Sequence, residues 1–207
     1  MKVRLVVFFL VSIQSVLIGQ NIEHFRSKQA FEKAEKLQEL YMQASGENKD
    51  EYKIQFFYEL PSNFVDFNML YGYKDTGDSI IFGLVYYDAV DHFKLLDELY
   101  FVLDEQVYFE KLISISLHGI WHADAVNYLK YRLNIKLPNK LLLFLNILSK
   151  YSNEEIKSFW YFYFDGPHPA EHLPQELEGI KELDERIYIL MKSALKEVQE
   201  EWGVHGH

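Results

Sequence analysis

The chain has 207 residues, no cysteine and a formal charge of -10, with 16% aromatic and 25% charged residues. The missing cysteine excludes a lipoprotein anchor, a disulfide framework and thiolate chemistry together, so cohesion must come from an apolar core. An acidic surface repels phosphate backbones and anionic headgroups, which argues against nucleic acid and favours a basic partner.

Lys2 and Arg4 precede an apolar run from Leu5 to Val11, continued more weakly by Ile13, Val16, Leu17 and Ile18. This is the build of a secretory signal peptide. Ser12, Gln14 and Ser15 interrupt the run, whereas a permanent membrane helix needs about 20 mostly apolar residues. The expectation is a leader over residues 1–19, cleavage near Gly19 or Gln20, no stable anchor afterwards, and one domain over 20–207, in the periplasm or secreted.

From Ile22 to Ala44 apolar residues recur at helical spacing: Phe25, Ala30, Phe31, Ala34, Leu37, Leu40 and Tyr41. Gly46 and Asn48 mark a stop. Tyr52 to Leu60 is apolar and undecided between helix and strand, as is Ile80 to Tyr86, so a short strand pair is the one departure from an all-helical reading. Pro61 ends the first of these, Ser62 is placed to cap, and Phe64, Phe67, Leu70 and Tyr71 share a helical face over Asn63 to Tyr71. Gly72 and the DTGD segment at 75–78 read as a loop before a long helix from about Val85 to Val102.

Further helices are expected from Asp104 to the break at Gly119, from Ala123 to Leu133 and from Leu141 to Lys150, with the NIKLPN segment as punctuation between the last two. Ser152 with Glu155 three residues on is a capping box, so a helix starts there and runs through Phe159–Phe164. Pro167, Pro169 and Pro174 prevent its continuation. A final helix spans Gln175 to Trp202. The whole is an all-α, single-domain bundle of about seven or eight helices.

Two histidine pairs have metal-site spacing: His118 with His122, and His168 with His172, with Asp124 or Glu171 as a third ligand for zinc. Gly119 and Pro169 interrupt these segments, and neither pair encloses the glutamate of a HExxH metalloprotease. Asp88 and His92 are also four apart, where a carboxylate can orient an imidazole, although a structural hydrogen bond is the commoner outcome. No GxSxG elbow or glycine-rich phosphate loop is present.

The aromatic content is the unusual feature. In FWYFYF at 159–164 the rings must cover every side of a helix, so they meet either other elements or a partner. Aromatic side chains with an acidic rim suit a basic target. The expected partner-binding residues are Tyr71, Tyr73, Asp75, Trp160, Tyr163, Asp165, His168 and His172.

The strings LPSNFVDFNMLYGYKD at 60–75, YYDAVDHF at 86–93 and GIWHADAVNYL at 119–129 resemble small exported helical proteins of Bacteroidota. The matching motifs are aromatic and structural, so no active-site residue is carried over. In general character the chain is also similar to periplasmic immunity proteins, which are small, helical and acidic. The expectation is a periplasmic partner-binding protein, such as an immunity protein neutralising a secreted effector, with no cofactor. Its rivals are a metal-dependent hydrolase using the histidine pairs, and a structural subunit of an envelope complex whose C-terminal helix packs on a neighbour.

Overall fold

The computed structural model describes residues 27–44, 49–122 and 124–204. The expected leader therefore lies outside the described residues. The first helix, α1, runs Lys28–Gln43, capped by Ser27, whose hydroxyl accepts the Ala30 N–H at 3.2 Å. It buries Ala30, Ala34, Leu37 and Leu40 against α2, Lys49–Glu59, which settles the undecided segment as a helix with Phe56 and Phe57 inside. A Lys33–Glu59 ion pair at 2.9 Å spans the two.

After Pro61 the cap of α3, Phe64–Tyr71, is Asn63 rather than Ser62, its side chain accepting the Asp66 N–H at 2.9 Å. The expected loop then contains a hairpin: β1, Tyr73–Asp75, pairs antiparallel with β2, Ile80–Phe82, in the register Tyr73↔Phe82, Lys74↔Ile81, Asp75↔Ile80. Thr76 and Ser79 close its tip, with Gly77 at φ +82°. The strand pair is thus local, because the turn chemistry of DTGDS brings its two arms together.

The helix expected from Val85 instead begins at Ala89 and ends at Leu99 (α4, Ala89–Leu99). Backbone bonds from Gly83 to Gly72 and from Val85 to Leu70 hold residues 83–85 against the end of α3, so the intervening turns cannot join the helix. Gly83 is needed there, since a Cβ would lie 2.4 Å from the Leu70 carbonyl oxygen.

The remainder comprises α5, Glu105–Ser116, α6, Ala125–Lys136, a 3-10 turn at Pro138–Lys140, α7, Leu141–Leu148, and α8, Asn153–Phe164. The Ser152–Glu155 capping box forms as expected. The final helix does not run unbroken from Gln175. It divides into a 3-10 turn at Gln175–Leu177, α9, Ile180–Leu183, and α10, Glu185–Val204, because Asp184 is extended and its carboxylate accepts the Ile187 N–H at 2.9 Å to restart the helix. The chain is all-α, with ten helices among the described residues rather than seven or eight.

At the centre is α8, packed on α10, α5 and α6. This explains its all-round aromatic pattern, since a helix apolar on every side must be enclosed. Phe159, Trp160 and Phe162 are wholly buried. Tyr161 alone reaches outward, its hydroxyl donating to Glu201. Among the described residues no helix is long and apolar enough to cross a membrane.

Candidate binding surface

Alternation along the hairpin places Tyr73, Asp75, Ile80 and Phe82 on one face, with Lys74 and Ile81 on the other. The turns after β2 add Tyr86 and Tyr87 to the first face. Ring centroids lie 6.5 Å apart for Tyr73–Phe82, 4.6 Å for Phe82–Tyr86, 5.6 Å for Phe82–Tyr87 and 5.2 Å for Tyr86–Tyr87. Tyr87 is 79% exposed and Ile80 52%, so this is a surface cluster and not an extension of the core.

The α5–α6 loop completes it. His118 and Asp124, at its two ends, are the non-glycine residues with positive φ among those described, at +56° and +65°. Between them Gly119 is wedged so tightly that a Cβ would meet Phe162 at 2.6 Å and Phe64 at 2.9 Å. His122 then lies with its ring 5.9 Å from that of Tyr73, and the Asp124 carboxylate accepts the Tyr86 hydroxyl. That hydrogen bond pushes the Tyr86 phenol up to about 12, so it stays a donor at physiological pH.

Asp165 fixes the loop from beneath. Its carboxylate accepts the Trp121 backbone N–H and, at 2.8 Å, the Trp202 indole N–H from α10. The Lys130 ammonium donates to the Asp165 carbonyl and lies 5.6 Å from the centre of the Phe162 ring. Burial lowers the Lys130 amine to about 8 against the opposing charge of Asp165. Burial likewise lowers His122, again opposed by Asp165. The carboxylate thus ties together the end of α8, the Trp121 backbone and the last helix.

Of the expected partner-binding residues, only Tyr73 and Asp75 belong to this surface. Tyr71, Trp160, Tyr163 and Asp165 are buried and cannot present a surface in the folded chain. Tyr71 faces inward because its hydroxyl bonds His92 Nδ1 at 2.9 Å beside a cavity of about 10 Å³. His168 and His172 are exposed on the 165–174 loop, which is held to α10 by Gln199 donating to the Ala170 and Glu171 carbonyls.

The metal candidates His118, His122, Asp124, His168 and His172 do not assemble: among the described residues no group of three or more such side chains is placed to hold an ion. His118 lines a cleft with Glu154, Lys157 and Glu197 on the α8–α10 side, while His122 faces Tyr73. Asp88 and His92 share no side-chain hydrogen bond, and the Asp88 carboxylate acts on the imidazole only through its charge. Asp88 accepts from Gln38 at 2.9 Å, and the carbonyl of Asp88, not its carboxylate, meets the His92 N–H.

Phe82, Tyr86 and Tyr87 were not among the residues expected at a surface, although the Tyr86–Tyr87 pair stands out in the sequence. Residues of the strings 60–75, 86–93 and 119–129 meet in two places: Tyr71 with His92 in the core, and Tyr73 and Tyr86 with His122 and Asp124 at the surface. No protein-family model matches this chain, and comparison with curated proteins and with solved structures finds no match.

Proposed function

We propose that this chain is a partner-binding protein of the bacterial periplasm, and that it neutralises a secreted effector in the manner of an immunity protein. The observation that carries this reading is the aromatic face of the hairpin, half-buried at Tyr73, Phe82 and Tyr86 and exposed at Tyr87, with the Asp75 and Asp124 carboxylates beside it. Tyrosine is among the side chains enriched in binding hot spots, and aromatic residues are enriched at interfaces generally. The leader-like composition of residues 1–19 supports export as part of this reading. The similarity in size, helicity and charge to periplasmic immunity proteins points the same way.

The test is rescue. The protein encoded next to this one is directed to the periplasm, and survival is compared with and without export of this chain. Survival that needs export, together with co-purification of the two proteins, is the expected result. A non-toxic neighbour, or toxicity that this chain does not relieve, overturns the immunity role. Failure of crosslinkers placed at Tyr87 to capture any periplasmic protein overturns partner binding through this face.

A further inference from the structure

The geometry points to a specific chemistry for the hairpin face: it takes a lysine or arginine side chain of a protein partner, seated over the Tyr86–Tyr87–Phe82 rings and flanked by the Asp124 and Asp75 carboxylates. This rests on the partner-binding reading above and names what the partner must present.

Three observations carry it. First, Tyr86 meets Tyr73 and Tyr87 edge to face, with interplanar angles of 90° in both, while Phe82 is tilted against Tyr86 and Tyr87 at 43° and 47°. Each such contact uses a ring's positive edge, and the outward face of Tyr87, largely exposed, retains the negative charge that attracts cations.

Second, among the described residues the two carboxylates on this face lack the basic partner that several carboxylates elsewhere on the molecule have. Asp91 pairs with Lys94, Asp97 with Arg132, Glu105 with Lys140 and Glu110 with Lys150. Asp75 and Asp124 form no ion pair among the described residues; Asp75 accepts the Gly77 N–H and Asp124 the Tyr86 hydroxyl. Lys74, the nearest cation in sequence, is carried to the opposite face by the strand register.

Third, the same combination is seen satisfied inside the protein. The Arg132 guanidinium lies 4.7 Å from the centre of the Phe93 ring and 2.5 Å from an Asp97 oxygen. The hairpin face offers the ring and the carboxylate without the cation. An aromatic face alone would suit a sugar ring as well. The unneutralised carboxylates and the overall charge of -10 select a cation instead.

The probe is a fluorescein-labelled hexa-arginine peptide, with hexa-citrulline as its uncharged counterpart, followed by fluorescence anisotropy with the purified chain. Hexa-arginine should bind and hexa-citrulline should not. Tyr87→Ala, which leaves net charge unchanged, should weaken binding roughly threefold or more, and Asp124→Asn by roughly threefold at low salt. Phe101→Ala, at the far end of α4 and 85% exposed, should leave affinity unaltered. Equal binding of the two peptides, equal affinity of the Tyr87→Ala and wild-type chains, or displacement by N-acetylglucosamine oligomers overturns the assignment. If hexa-arginine fails while a periplasmic partner is still captured through Tyr87, only the cation chemistry falls. If hexa-arginine binds through Tyr87 but no periplasmic partner is captured, the functional reading falls and the surface chemistry stands.

Discussion

The rings of α8, Phe159 to Phe164, and those of the hairpin region, Tyr73, Phe82, Tyr86 and Tyr87, are both dense clusters in mutual contact, yet one is enclosed and the other faces solvent. Their side-chain chemistry is alike. What differs is cover: α8 has α5, α6 and α10 around it, whereas the two strands of the hairpin pack chiefly on each other. Aromatic density therefore marks large contact area without saying who makes the contact, and the number of neighbouring elements decides between core and interface.

That contrast is open to direct attack. The largest effect is expected at Trp160, which is wholly buried. Trp160→Ala should cost about 3–5 kcal/mol in urea denaturation through the cavity it leaves. A loss below about 1 kcal/mol would show that α8 is not enclosed.

Next comes His92, 2% exposed among Tyr41, Phe56 and Tyr71. Burial lowers it from 6.5 to about 4, with Asp88 and Asp91 opposing the shift. As pH falls, the unfolded chain takes up this proton first. Stability should thus be full above about pH 6.5, decline as pH falls to about 4, and level off below, a total of about 3 kcal/mol from this residue. Denaturation across that pH range should show the decline in the wild-type chain and a shallower one in His92→Gln; identical slopes would place His92 in water.

The smallest effect is expected at Tyr87. Tyr87→Ala should change stability by no more than about 0.5 kcal/mol, since the ring is already mostly exposed. A thermal shift comparable with that of Trp160→Ala would make the hairpin face part of the core and end its candidacy as a docking surface.

Local signals in this chain were legible wherever a few neighbouring residues decide the outcome. The Ser152–Glu155 capping box, the stop at Pro61 and the apolar periodicity of α1 each involve contacts within one or two helical turns, and each produces the element expected. The candidate surface was half legible. Tyr73 and Asp75 could be picked out from their segment, but Tyr71 and Trp160 looked equally suitable, because sequence alone does not show which side of an aromatic residue is covered.

Sequence by itself determined the helical class, the acidic balance, the absence of thiol chemistry and the helix boundaries set by caps and prolines, since these depend on composition or on contacts a few residues apart. Only the tertiary structure decided that the turns after β2 bring Tyr86 and Tyr87 beside Phe82, that Asp165 is an internal tie rather than a contact, and that His118 and His122 point apart. The Asp165 ties reach partners 35 to 44 positions away, the Tyr86–Asp124 bond spans 38, and the rest depends on backbone held by distant elements, at residues 83–85 and at His118 and Asp124. Such pairings are fixed by how whole elements pack, which no local pattern specifies.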